Sequence, residues 1–400
     1  MKACAWADLL QGSALILGGA IITWLAFGKL GASPVADLAT AATAEATANL
    51  TDDASGVKKF FALNADKLHM VLPKSDQILP WTALCVGLWI PNFYYWGLNQ
   101  YITQRTLGSK SLAQGQKGVV FAAALKLIIP FVIVFPGLAA FNLYSADMKA
   151  QASEDVQIQA NWAESRTLSA AATVEVFTTF ELDKGSTLND PEIAAEVEAY
   201  NARVIEAAGG AVNITATKDL LGYKYDTAFG LLIRKLVPQG LRGFILAAIL
   251  GAVVSSLASM LNSAATIFTM DLYRKYLSPS AEQKRLVFIG RTCVVTFAII
   301  GCLIAPILGN PKFGGIFTYI QEFQGYISPG ILAVFVFGLV VKRVPGMCGV
   351  IGLLLNPLMY LILTFAMPNL AFLDRMAVSF ACVLFTMGII TLALGSKVEP

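Results

Sequence analysis

GVVFAAALKLIIPFVIVFPGLAAFNL, residues 118–143, runs for 26 residues with a single charge, Lys126. A helix needs about 20 mostly apolar residues to cross a bilayer. Within lipid every backbone N–H and C=O has to be satisfied by the protein itself. A stretch of this length and continuity does that as a helix, and the period-two alternation of a barrel strand is absent. Seven other stretches read the same way: 9–28, 81–101, 244–269, 286–308, 315–341, 346–366 and 376–394. The expectation is an all-α membrane protein with about eight transmembrane helices.

Composition agrees. The chain is 56% hydrophobic and 14% charged, with mean hydropathy +0.65. Its net charge of +3 says little, but the distribution of charge is informative. The short connections at 102–117, 271–285 and 342–345 carry Arg105, Lys110, Lys117, Arg274, Lys275, Lys284, Arg285, Lys342 and Arg343. The short connections on the other side carry Lys312 and Arg375. The positive-inside rule then makes the first set cytoplasmic and the long segments 29–80 and 144–228 external, in a multi-pass protein of the cell membrane. The second long segment is acidic, with 14 Asp or Glu against six Lys or Arg.

These segments divide the chain. Residues 1–28 hold the first span and 29–80 an outer loop. Residues 81–143 hold two spans, with a broken helix near 91–97. Residues 144–243 form a long acidic insertion, partly helical over 191–208 and poorly ordered in places, that ends in an interfacial helix at 228–243. Residues 244–400 carry five further spans. The cysteines lie in or beside spans without metal-ligand spacing and read as small hydrophobes. His69, the single histidine, reads as a solvated loop residue. No Walker-type Gly-Lys-Ser/Thr, His-Glu-x-x-His or nucleophile elbow occurs, which weighs against an ATP-driven pump and a membrane protease.

Polar groups inside spans are costly, so each is a candidate site. Pro91 in mid-span removes a helical hydrogen bond. Asn92 beside it offers both donor and acceptor, and Tyr94, Tyr95 and Trp96 offer flat apolar faces. Together they suit a polyol held at a helix break; a kinked packing helix with interfacial aromatics is the alternative. Lys126 lies eight residues from Gly118, about 12 Å along a helix. That is a long reach for snorkelling, so a wet cavity or a pairing at a helix contact is expected. Ala252, Ser255 and Ser256 share one helical face and present a carbonyl and two hydroxyls. A sodium ion, hard and monovalent, takes such oxygens. Small residues in spans also serve close packing, and on composition alone packing ranks above ion binding. Phe317, Gln321, Glu322 and Gln324 precede Ser328-Pro329-Gly330. Gln321 suits a sugar hydroxyl and Phe317, one turn earlier, the cap of a cavity.

Three stretches carry a resemblance. Asn92-Phe-Tyr-Tyr-Trp-Gly-Leu-Asn-Gln-Tyr-Ile-Thr-Gln-Arg105 resembles the sixth core helix of the sodium/solute symporter family, in its sodium/sugar (galactose/glucose-type) branch. Leu241-Arg-Gly through Val-Val-Ser-Ser-Leu-Ala-Ser-Met-Leu-Asn-Ser to Asp271 resembles the eighth, and Tyr319-Ile-Gln-Glu through Ser-Pro-Gly330 the tenth. The likeness spans nearly the whole chain outside the two outer segments.

The resemblance implies a partial leucine-transporter-like inverted-repeat fold, made of the fifth core helix, the second repeat and the helices that follow. It implies sugar contacts from Asn92, Tyr95, Lys126 and Gln321, gates at Tyr95 and Phe317, a sodium site at Ala252, Ser255 and Ser256, and Asp8 on a sodium exit path. The partners it implies are a small neutral sugar, a co-transported sodium ion and the bilayer, with no nucleic acid. The activity it implies is sodium-coupled symport by alternating access, which is not enzymatic. Other readings are a sodium- or sugar-responsive sensor or channel on the same scaffold, and a symporter of another neutral solute such as myo-inositol. The first core helix, which supplies half of the family's sodium site, has no counterpart. The sequence is therefore expected to be an N-terminally truncated fragment that does not transport alone.

Overall fold

The computed structural model describes residues 1–400 except 1, 39–43, 49, 75–78, 172, 184–190, 211–212, 215, 309–315, 368–369 and 395–400. Side chains at 2–5, 44–45, 66, 216, 307–308 and 316–319 are also left undescribed. Lys312 and the side chain of Phe317 thus lie outside the described residues. The chain divides into two compact units. One is Met1–Leu68 with Gly108–Ile299, and the other is His69–Leu107 with Ile300–Pro400.

In the first unit, α1 (Lys2–Ala32) buries Ile22, Ala26 and Leu30, a stripe at spacing four. Against it lie α2 (Gly56–Leu63), with Phe60 and Leu63, and later in the chain Ala139, Ala140, Phe141 and Met148. The approach is close: a Cβ on Gly56 would sit 1.8 Å from the carbonyl oxygen of Phe27. Lys59 on α2 is fully buried. Its ammonium donates to the carbonyls of Gly31 (2.9 Å), Ser33 (2.8 Å) and Asp52 (2.9 Å). A helix C-terminus leaves carbonyls without intrahelical partners, and a cation there is favoured by the helix dipole.

The opening stretch 118–143 forms α3 (Leu112–Lys126), a π-helical turn (Pro130–Val134) and α4 (Phe135–Glu154). The π-turn follows from Pro130, which has no N–H to continue the α ladder. α4 runs well past the membrane span expected from hydropathy and delivers the chain to the insertion.

The described residues of the insertion include two helices and two strands, the strands standing in an otherwise helical chain. α5 (Val156–Ser169) begins at Asp155, whose carboxylate accepts from the N–H groups of Gln157 (3.0 Å) and Ile158 (3.1 Å). β1 (Thr178–Leu182), α6 (Pro191–Ala207) and β2 (Ala216–Leu220) make a βαβ crossover with parallel strands, Thr178 opposite Ala216 and Leu182 opposite Leu220. Phe180, Val197, Tyr200, Val204 and Leu220 form its core. A two-stranded sheet is marginal alone and exposes two edges. Here both edges are occupied by side chains. Asn201 on α6 accepts from Phe180 N–H (2.9 Å) and donates to its carbonyl (2.6 Å). Asn161 and Trp162 on α5 donate to the carbonyls of Asp219 (3.1 Å) and Leu221 (2.9 Å).

The segment 228–243, expected as one interfacial helix, forms α7 (Ala228–Leu236) and the first turn of the helix that follows. Its Leu231, Leu232 and Ile233 are buried in the core shared with α1 and α4, while Arg234 is exposed and Lys235 binds Asp147 at 2.6 Å. α8 (Gln239–Ile267) then passes directly into a long π-helical stretch, Phe268–Leu277. α9 (Gln283–Leu308) follows.

In the second unit, the span expected at 81–101 is a series of short turns: π at Ala83–Gly87, α at Trp89–Phe93 and π at Tyr94–Leu98. The clean interruption comes at Asn99, which is extended (ψ 118°), and Gln100–Leu107 resumes the helix. The break therefore falls just after the 91–97 segment. The carbonyl of Asn99 accepts from Ile102 and Thr103, so it starts the new helix. α10 (Ile316–Gly325), α11 (Ser328–Val340), α12 (Met347–Ala366) and α13 (Phe372–Leu394) complete the unit. Their core gathers Ala83, Ile90, Leu332, Tyr360, Phe372, Leu373 and Met376. Among the described residues, seven helices are long and apolar enough to cross a membrane. They match the eight expected spans less the fragmented one, and the protein is a multi-pass membrane protein.

Candidate functional site

α1 and α8 run antiparallel along a polar seam. Gly18 faces Ile245, Gln11 faces Gly251, and Asp8 faces Ser255. The order reverses between the two helices, as antiparallel packing requires. Gly251 is needed for the approach, since a Cβ there would lie 2.8 Å from Gln11 Nε2 and 3.0 Å from its Cδ. Asp8 and Gln11 share one face of α1 by i, i+3 spacing, and Gly251 and Ser255 share one face of α8 by i, i+4.

The buried hydroxyl of Ser255 donates to the Asp8 carboxylate. Ala252 is half-buried and Ser256 exposed. The structure thus joins two residues that the sequence reading treats separately, Asp8 on an exit path and Ser255 in the sodium site. Gln11 escaped that reading. Its Oε1 is buried without a hydrogen-bond partner among the described residues. The signal for it was the Asp8-x-x-Gln11 spacing within an apolar helix.

The Asp8 carboxylate, the Ser255 hydroxyl and, one turn along α1, the amide oxygen of Gln11 are hard oxygen donors. One carboxylate suits a monovalent ion better than a divalent one. Among the described residues no group of three His, Cys, Asp or Glu is arranged to hold a metal ion.

The sugar candidates divide between the two units. Lys126 belongs to the first; it ends α3 and is exposed. Asn92, Tyr95 and Gln321 belong to the second. Asn92 is exposed and donates to the carbonyl of Leu88 at 2.8 Å, which ties its amide to the preceding turn. Tyr95 pairs its hydroxyl with that of Tyr101, and its ring meets Trp96 edge-on at 5.3 Å. Tyr101 was missed as well, although it lies six residues on in the same aromatic run. Gln321 is half-buried on α10. Neighbouring Glu322 stands 3.9 Å from Arg375. Arg375 is itself nearly buried, and donates to the Leu370 carbonyl (2.7 Å) and the Thr364 hydroxyl (3.2 Å).

A model of the sodium:solute symporter family matches residues 1–172 and 204–355. The chain belongs to the sodium:solute symporter family. The unmatched stretch between those two ranges contains β1 and most of α6, while β2 lies within the second matched range. Among relatives, a sodium/glucose cotransporter of Vibrio parahaemolyticus is 36% identical over 98% of this chain and 58% of its own length. A sodium/myo-inositol cotransporter 2 of Bos taurus is 27% identical over 90% of this chain and 44% of its own. The chain thus spans about half the length of these relatives. A solved Na+-coupled sialic acid symporter, in a substrate-bound outward-open state, aligns with 98% of this chain and 62% of its own, with TM-score 0.60 and 18% identity. That likeness is one of fold, and it agrees with the expected leucine-transporter-like arrangement of helices.

Proposed function

We propose that this chain carries the cation-coupling and part of the sugar-binding machinery of a sodium-coupled sugar symporter of the cell membrane. The observation that carries the reading is the Ser255–Asp8 hydrogen bond in the polar seam between two apolar helices, α1 and α8. A charged side chain in a span stands there for an ion pathway or for a partner. Here the carboxylate accepts from the Ser255 hydroxyl.

Sodium enters the seam near Ala252, Ser255 and Ser256, and Asp8 receives it on its way to the cytoplasm. The short basic loops face that side, and the 29–80 and 144–228 segments face outward. Coupling requires the ion to bind one conformation better than the other, since equal affinity shifts nothing. The membrane potential adds about 2.3 kcal/mol per charge per 100 mV. No covalent bond is made or broken in this cycle. Asn92, Lys126 and Gln321 bond sugar hydroxyls, Tyr95 stacks on the ring and closes the inner side, and Phe317 closes the outer side.

Symport of another neutral polyol has support of its own, from relatives named sodium/myo-inositol cotransporter 2 in several mammals. Sodium-driven uptake of labelled galactose, glucose and myo-inositol by the complete native gene product distinguishes the two. Lys126→Ala and Gln321→Ala are expected to raise KM for the transported polyol at least tenfold, the order of one or two lost hydrogen bonds to a charged or neutral donor. Unchanged uptake in both variants removes the sugar-site assignment.

A further inference from the structure

α10 and α11 are two halves of one span, separated by the turn at Tyr326 and Ile327. A break at membrane depth leaves carbonyls at the end of the first half with no intrahelical donor and no water. Two of these, on Gly325 and Tyr326, accept from one side-chain amide. Asn356 Nδ2, on α12, lies 3.3 Å from the first and 2.7 Å from the second. Asn356 is 1% exposed. Its Oδ1 accepts from the Ser379 hydroxyl of α13 at 2.7 Å. That bond fixes which end of the amide faces the break, because only the nitrogen end can donate to carbonyls.

The fit on either side is tight. A Cβ on Gly330 would lie 2.7 Å from Asn356 Cβ, and one on Gly325 would lie 2.2 Å from the Tyr360 ring. Asn356 and Tyr360 are one helical turn apart, so a single face of α12 holds both sides of the break. Among the described residues, a second polar tie on α10, Glu322 to Arg375, is 3.9 Å long with Glu322 44% exposed. A pair at that distance, with its carboxylate open to solvent, contributes little. The buried amide therefore dominates the joint.

We infer that Asn356 is a positioning residue for transport: it sets the angle between α10 and α11, and with it the place of Gln321, one turn ahead of the break. The step from angle to substrate rests on the reading of Gln321 as a sugar contact. Asn356 itself touches no substrate in this scheme.

The test uses the complete native gene product in proteoliposomes, with its cysteines replaced and spin labels at the exposed positions Phe323 and Leu339. Asn356→Leu keeps the shape of the side chain and removes its donors. The label-to-label distance distribution is expected to widen, and KM for sugar to rise roughly tenfold while kcat stays within about twofold. An unchanged distance distribution overturns the inference, whatever KM does. A widened distribution with unchanged KM also overturns it. In that case Gln321→Ala locates the fault: if it too is silent, the sugar assignment of Gln321 has failed, and if it raises KM, the joint does not position it. Should Asn356→Leu fail to fold, Ser379→Ala serves instead, keeping the amide but freeing its orientation. It is expected to raise KM about threefold with a smaller widening, and silence in both readouts overturns the proposal.

Discussion

Ser255 donates its hydroxyl proton to Asp8 across the seam between α1 and α8, although the two residues are 247 positions apart in the chain. The contact has a chemical cost in a bilayer, because a carboxylate and a hydroxyl are withdrawn from water to make it. In a symporter that cost has a use. On the proposed sodium-coupled reading, an arriving sodium ion would replace the Ser255 hydroxyl as the partner of the carboxylate, and the hydroxyl oxygen would be free to join as a ligand. Asp8→Asn removes the charge and keeps the shape. It is expected to raise the sodium concentration for half-maximal uptake about tenfold, with Ser255→Ala giving a smaller rise. An unaltered sodium curve in both variants rejects the ion role of the seam.

Lys59 is expected to be a large contributor to the stability of the first unit. Its ammonium is buried and makes three charge-assisted hydrogen bonds, two of them to carbonyls at the end of α1. Lys59→Met removes the donors and is expected to destabilise by roughly 3 kcal/mol. Lys58→Met, at an exposed neighbouring position, is expected to stay within about 0.5 kcal/mol of the parent. Apparent melting temperatures in detergent compare the two, and equal values would reject the role of Lys59.

The insertion is expected to respond to acid through Asp155. The Lys224 ammonium, 2.7 Å away, and then the N–H groups at the start of α5 hold its carboxyl below the usual carboxylate range. The folded state therefore binds this proton less readily than the unfolded chain. The resulting stability is present above the unfolded carboxylate value of about 3.9 and is lost as pH falls through the lower folded value. Asp219 works in the opposite sense. Burial first, and then the charge of Asp183, raise it, so its folded form favours the proton and its contribution fades as pH rises. Hydrogen-exchange protection of 156–169, corrected for the intrinsic pH dependence of exchange, is expected to drop in acid for the parent. In Asp155→Ala, which also lacks a cap worth about 1 kcal/mol, it is expected to be low throughout. A parent-like acid profile in the variant would exclude Asp155 as the cause.

Hydropathy made most of the membrane region legible, because lipid enforces a helix wherever about 20 apolar residues run together. The disturbance around Pro91 was legible for a similarly local reason, the missing N–H of proline. Its position was less so: the chain absorbs Pro91 in α and π turns and parts only at Asn99. The strands of the insertion were not legible. Thr-Thr-Phe-Glu-Leu and Ala-Thr-Lys-Asp-Leu are short and weakly patterned, and they become strands because α6 brings them side by side and Asn161, Trp162 and Asn201 occupy their edges. Asn356 was invisible for a related reason. Its partners are backbone carbonyls on another helix, and no side-chain motif marks those. The Ser255 half of the cation seam was read from its helical face, while its pairing with Asp8 depended on a helix packing that spacing along one chain does not encode.

The Lys59 cage has a mechanical consequence for that seam. α1 carries Asp8 near its beginning and is gripped just past its end, some 24 residues on, roughly 36 Å away at the helical rise. A rod clamped at one end swings; it does not slide. Displacement of α1 during the proposed transport cycle is accordingly expected to be largest at the carboxylate and smallest at the clamp, so that the segment around Lys59 serves as the fulcrum for movements at the far end of the helix.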